Sequence, residues 1–332
     1  MKIPATVITG FLGAGKTTLI RHILANANGK RIAMIINEFG DLGIDGDLIE
    51  SCGIEACSEG AVIELANGCI CCTVADEFLP AMEALLEREN PPEHIIIETS
   101  GLALPKPLVK AFDWPEVRSK VTVDGVIAVI DAAAVFEGRF ADDPATVNLP
   151  DHDNPLEEVF ADQLLCADLV ILNKADMVDD DGIATIAGII AGDIRAGVRT
   201  VPSVNGVVDL SVLLGISAAA EDGIELRRSH HDGEDDHDHD DFESFTVDLG
   251  DTVDPGSLEV RLARLTAEHD ILRIKGFVHV PGKDMRHVVQ GVGPRIQRYY
   301  DRPWGQDEER RGQLVVIGQK GLDRAAIVAS LA

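Results

Sequence analysis

The chain has 332 residues, 45% of them apolar, which is enough for about two domains with cores of their own. Its formal net charge of −28 argues against nucleic acid or an anionic membrane as partner, because phosphate would be repelled. No apolar run approaches the roughly 18 residues of a membrane span, and the chain opens on a strand in place of a basic, apolar leader, so the expected compartment is the cytoplasm.

Apolar, β-branched residues at 3–9 predict a strand, followed by a helix over 16–27 and a second strand over 31–37. A helix is expected over 76–88, with Pro80 tolerable only near its first turn. Strands follow at 95–98, 126–131 and 168–173, with a short one at 198–203. Apolar strands spaced by helical patterns predict an α/β domain over residues 1–218, a mostly parallel sheet with helices on both faces. Residues 221–241 hold Asp, Glu and His with almost no apolar side chains, so 219–242 reads as a solvated, mobile linker. A smaller α+β domain is expected over 243–332. It has strands at 245–249, 272–280, 287–291 and 314–317, helices near 257–269 and 323–331, and a largely antiparallel sheet.

Gly10-Phe11-Leu12-Gly13-Ala14-Gly15-Lys16-Thr17 lies between the first strand and the first helix, the context a phosphate-binding P-loop requires. Typical residue frequencies give roughly a one-in-a-hundred chance of the bare pattern in such a chain, and the context lowers that further. Gly10, Gly13, Ala14 and Gly15 let backbone N–H groups turn inward onto phosphate, and the helix N-terminus adds its dipole. Lys16 supplies a cation to the β- and γ-phosphates, and Thr17, followed by Thr18, brings a hydroxyl to Mg²⁺.

Asn173-Lys174-Ala175-Asp176 follows the strand over 168–173. A carboxylate at Asp176 can accept from the ring N–H and exocyclic amine of guanine, a donor pair adenine lacks. Glu98-Thr99-Ser100-Gly101 ends a buried strand; Glu98 can hold Mg²⁺ directly or through water, and the Gly101 N–H can sense the γ-phosphate. Lys16 and Glu98 are thus the candidate catalytic residues. Asn37-Glu38-Phe39-Gly40-Asp41 is a candidate switch that can bring Glu38 or Asp41 toward the Mg²⁺.

Of six cysteines, Cys69, Cys71 and Cys72 fall within four residues, in a loop bent by Ala66-Asn67-Gly68. Three thiolates there can take one Zn²⁺ or Co²⁺ with a fourth position open. The other readings are small core residues or a redox pair, and a polar, Gly-flanked loop suits the core reading poorly. Cys52 and Cys57 are weaker candidates, and Cys166 fits a core helix position. His230, His231, His237 and His239, set among aspartates, can collect metal weakly or simply belong to an acidic linker.

Together these residues resemble the CobW-type P-loop GTPases, a family of metallochaperones. The likeness extends through Leu-Arg-Ile-Lys-Gly at 272–276, Val-Gln-Gly-Val-Gly at 289–293 and Tyr-Tyr-Asp-Arg-Pro-Trp at 299–304, and so covers nearly the whole chain. The C-terminal part is most similar to the branch associated with aerobic cobalamin biosynthesis. The resemblance implies GTP with Mg²⁺, hydrolysis of GTP to GDP and phosphate, Co²⁺ as cargo and the cobaltochelatase as client metalloenzyme. Self-association that depends on nucleotide or metal is allowed as well. A zinc chaperone of the same family is the alternative cargo reading. A GTP-dependent protein-binding switch with a structural zinc is the alternative of another class, and it predicts metal retention through hydrolysis. A P-loop kinase or metabolic ATPase is opposed by the 173–176 motif. At 201–206 the second base-contacting loop is expected, and Val201-Pro202-Ser203-Val204-Asn205-Gly206 leaves open which atoms bind.

Overall fold

The computed structural model describes residues 2–37, 62–65, 78–138, 155–229, 242–250, 254–269, 271–292, 295–305 and 308–331. Glu38, Asp41, Cys52, Cys57, Cys69, Cys71, Cys72 and the histidines of 230–241 lie outside these residues. Two compact units are present. No helix among the described residues is long and apolar enough to cross a membrane.

The first unit alternates strand and helix. In chain order it contains β1 (Ile3–Thr9), α1 (Lys16–Ala25), β2 (Ile32–Asn37), β3 (Val62–Leu65), α2 (Leu79–Leu86), β4 (His94–Glu98), α3 (Pro105–Ala111), α4 (Pro115–Arg118) and β5 (Val121–Asp131). α5 (Ala132–Phe136), α6 (Pro155–Cys166), β6 (Leu169–Asn173), a 3-10 turn at Ala175–Met177, α7 (Asp180–Ile190), β7 (Arg199–Pro202) and α8 (Leu210–Leu213) follow. The strands pair in the order β3-β2-β4-β1-β5-β6-β7, every pair parallel, the α/β sheet expected from the sequence. β4 and β6 are buried along their whole length, which is why they read as unbroken apolar runs rather than alternating ones. Met82 and Leu85 of α2 and Leu108 and Val109 of α3 pack on Ala5, Val7, Ile35, Ile95 and Ile97. Phe160, Leu164, Ile186 and Ile190 cover Ala128, Ile130, Val170 and Leu172. α2 begins at Leu79, so Pro80 sits in the first turn, where no i−4 bond is lost.

The first unit extends past residue 218, the end expected from composition. Ala220–Leu226 forms a 3-10 helix whose Glu221 is only 2% exposed. The Glu221 carboxylate accepts from Val123 N (2.9 Å) and Thr122 Oγ1 (2.6 Å) of β5. Arg227 donates to Asp168 (Nη2 to Oδ1, 2.9 Å), Lys106 Nζ donates to Arg227 O (2.5 Å), and Ser229 Oγ donates to Asp162 Oδ2 (2.6 Å). These residues read as a linker because they are charged, but Glu221 and Arg227 are buried and have their partners inside the fold. Composition cannot distinguish a paired buried charge from a solvated one.

The second unit holds β8 (Phe242–Gly250), α9 (Pro255–Glu268), β9 (Ile271–Val278), β10 (Met285–Val292), β11 (Arg295–Pro303), β12 (Gly312–Gln319) and α10 (Arg324–Leu331). Its sheet runs β11-β10-β9-β12-β8, antiparallel throughout. Asp254 caps α9 by accepting from Ser257 N (2.9 Å), with Pro255 in the first turn. Leu258, Leu262 and Leu265 of α9 and Ile327 and Leu331 of α10 pack on Val247, Ile274, Val289, Leu314 and Val316. On β10, the buried Arg286 stacks 3.6 Å from the Phe277 ring centre and donates to Asp301 of β11.

Candidate functional site

In a parallel sheet every strand ends at the same edge, and open α/β sheets bind ligands there. Thr9, Glu98, Asp131 and Asn173 end β1, β4, β5 and β6 along that edge. The P-loop leaves β1 at Gly10 and turns into α1 at Gly15, which has φ 105° and carries no side-chain cap. A Cβ at Gly15 would stand 2.1 Å from Asn173 Nδ2, so only glycine fits both the angle and the space. The N-cap Gly15 has no side chain to accept from the first N–H groups of α1, an arrangement that suits an anion.

Lys16 is buried and its Nζ donates to Gly10 O (2.8 Å), holding the ammonium across the loop it closes. Thr17 Oγ1 donates to Glu98 Oε1 at 3.3 Å, with Glu98 only 4% exposed. A hydroxyl beside a carboxylate is a hard-oxygen pair that fits Mg²⁺. Thr18 is exposed on the first turn of α1. The turn after Glu98 is locked to β1, since Thr99 N donates to Ile8 O (3.0 Å) and Thr99 Oγ1 to Thr9 Oγ1 (3.0 Å). Gly101 packs directly on the P-loop, where a Cβ would meet Leu12 N at 2.8 Å.

The 173–176 motif is tied to the same loop. Asn173, 2% exposed, donates through Nδ2 to Ala14 O (2.8 Å) and accepts at Oδ1 from Gly206 N (3.0 Å). Lys174, at a left-handed φ of 60°, donates to Gly13 O (2.8 Å) and Asp131 Oδ2 (2.6 Å). Asp176 is exposed on the 3-10 turn. Asn173 thus joins the P-loop to the 203–207 loop, where the sequence left the contacting atoms open. Two participants had escaped notice. Asp131 accepts Lys174 and also caps α5 through Ala134 N (3.0 Å); its place at a predicted strand end was the available signal. Gln163, buried in α6, donates to Gly101 O (3.1 Å) and Ala103 O (3.3 Å), and no sequence signal distinguishes it from any helical Gln. Cys166 is core, as expected, and burial pushes its thiol up to about 11.

Residues 4–201 match the family model described as CobW/HypB/UreG, nucleotide-binding domain. The chain belongs to this family. Residues 242–332 match a second family model, described as Cobalamin synthesis protein cobW C-terminal domain. Among similar proteins is a Sinorhizobium protein named zinc chaperone CobW, 55% identical over 99% of this chain and 96% of its own length. A Pseudomonas aeruginosa protein of the same name is 54% identical over 99% of this chain and 91% of its own. The Escherichia coli zinc chaperone YjiA is 32% identical over 95% of this chain and 94% of its own. The family fits the geometry: a glycine-rich loop between strand and helix, braced by Asn173 and Lys174.

Proposed function

We propose that this protein is a GTP-hydrolysing metallochaperone, which uses the nucleotide state to hold and release a divalent metal for a client metalloenzyme. The observation that carries the reading is the Thr17–Glu98 contact, 3.3 Å beside the P-loop. Gly10, Gly13, Ala14, Gly15, Lys16, Thr17 and Thr18 hold the phosphates. Asp176 reads guanine, Asn173 and Lys174 keep its turn against the P-loop, and Gly101 responds to the γ-phosphate. Thr17 and Glu98 hold Mg²⁺, with Glu38 as a further ligand; when bound, the ion neutralises charge that develops on the phosphates. Lys16 orients the β- and γ-phosphates from its seat over Gly10.

The cargo site is the thiolate set Cys69, Cys71 and Cys72. Two lines support Zn²⁺ as the cargo. Proteins 54–55% identical over nearly the full chain are named zinc chaperones. Thiolate sites also favour Zn²⁺ over Co²⁺ in direct competition, following the Irving–Williams order. Co²⁺ delivery to the cobaltochelatase is the second reading, favoured by the cobalamin-synthesis C-terminal module, and it requires a nucleotide-dependent geometry that outweighs that order.

The test is a parallel Co²⁺ and Zn²⁺ titration with Mg²⁺ plus a non-hydrolysable GTP analogue, and with Mg²⁺–GDP. A coupling of about 1–3 kcal/mol gives roughly 5- to 150-fold tighter binding in the triphosphate state. Equal affinities in both states refute the chaperone cycle and leave a switch with structural zinc. The metal with the larger ratio is the cargo.

A further inference from the structure

The opposite edge of the first unit's sheet, where the strands begin, carries a cleft of about 500 Å³. That volume is in the range that holds a small ligand. Parallel pairing puts the full length of β1, β4 and β5 between this cleft and the P-loop edge, so the two sites share no residue.

The cleft's carboxylates are already engaged. Asp124 is buried and accepts from Gly215 N (2.6 Å), Ile216 N (3.1 Å) and Ser217 N (2.8 Å). Glu93 accepts from Arg31 N (3.0 Å) and faces its guanidinium at 3.5 Å. The donors on the same walls are not engaged in this way. The Lys30 ammonium has no partner among the described residues, and the Lys2 ammonium reaches Glu221 only at 4.0 Å. His94, 6% exposed, meets Thr6 Oγ1 through Nε2 at 2.8 Å and also lines the cleft. Burial lowers its pKa to about 4, so the ring offers a hydrogen bond rather than a charge at neutral pH.

One wall is a loop held in an uncommon shape. Gly215 (φ 86°), Ser217 (φ 57°) and Ala219 (φ 44°) are all left-handed, and the last two carry side chains that disfavour that region. The bonds from Gly215, Ile216 and Ser217 to Asp124 hold the first part of this loop in place. Backbone constrained in this way clusters at ligand sites.

We infer that this cleft is a second ligand site, separate from the nucleotide site, which takes a compact anion through Lys2 and Lys30 with a hydrogen bond from His94. The ligand chemistry is a phosphate or carboxylate group. In a chain of net charge −28, the cleft balances Lys2 and Lys30 against Glu93 and Asp124. Those two carboxylates are taken up by Arg31 and by backbone N–H groups, while Lys30 has no ion pair among the described residues and Lys2 only the 4.0 Å one, so an anion can enter there.

The test is calorimetric titration of the full chain, loaded with Mg²⁺ and a non-hydrolysable GTP analogue so that the P-loop is filled. Inorganic phosphate is the probe in one arm and succinate in the other. At least one should bind saturably at one site per chain, and the arm that does so identifies the group. The double variant Lys2→Met, Lys30→Met should weaken that binding at least tenfold, with melting temperature and GTP-analogue affinity unchanged. Non-saturating heats with both probes, or undiminished affinity in the double variant, overturn the assignment.

Discussion

Asn173 shows how one amide organises a nucleotide site. Its donor holds Ala14 O and its acceptor holds Gly206 N, so Asn173→Ala leaves two buried backbone groups without a partner at once. Each such loss costs about 1–3 kcal/mol. The P-loop serves the phosphates of both nucleotides, so GTP and GDP affinities should fall together, by roughly 10- to 100-fold, a change of about 1.4–2.7 kcal/mol. Fluorescent-nucleotide titration measures both. A loss confined to GTP would mean that Asn173 acts on the γ-phosphate and not on the loop. His94 gives a second residue-scale expectation. Its folded pKa of about 4 lies below the ordinary 6.5, mainly because burial disfavours the charged ring. Between those values the unfolded chain binds a proton that the native one does not, so stability is intact above pH 6.5 and declines as the pH falls toward 4. The total is about 3 kcal/mol. Urea unfolding at pH 7 and pH 4.5 should show most of that loss in the native chain and less of it in His94→Gln.

At the scale of elements, the 3-10 helix at Ala220–Leu226 acts as a clamp on β5. Glu221→Ala removes the acceptor for the Val123 N–H and the Thr122 hydroxyl. The expected cost is roughly 1–3 kcal/mol, seen as a lower thermal midpoint of the first unit with the cobW C-terminal unit unmoved. Elements of this kind mark what the sequence left illegible. The parallel strands were readable because burial on both faces makes them unbroken apolar runs, as in Ile95-Ile96-Ile97. The motifs at 10–17, 98–101 and 173–176 stood out because each fixes residue types at set spacing, and the fold brings all three to one edge of the sheet. β11, with three arginines, an aspartate and a glutamine in nine residues, has no apolar alternation, because it is an edge strand and has a neighbour on one side only. α3 begins Pro-Lys-Pro, a pattern that reads as a loop until both prolines are seen to fall in the first turn. Asp131 and Gln163 were missed for another reason: each acts by hydrogen-bonding a loop distant in sequence, which no local pattern records.

At the scale of the molecule, residues 230–241 join two separately packed units with seven carboxylates and four imidazoles in twelve residues. Such a segment attracts divalent cations by charge alone, and imidazole adds ligands suited to Zn²⁺ or Co²⁺. Thiolates bind these ions more tightly, so in this reading the segment gathers metal and the Cys69, Cys71 and Cys72 set holds it. Substitution of His230, His231, His237 and His239 by serine keeps the segment's length and its carboxylates, and leaves the Ser229–Asp162 contact ahead of it in place. Equilibrium dialysis against Zn²⁺ should then show a lower total capacity, with the affinity and nucleotide response of the tightest site preserved. Loss of the tightest site in this variant would make the histidines part of the cargo centre itself. The two results separate a chaperone with an accessory metal store from one whose metal is held jointly by the linker and the cysteine loop.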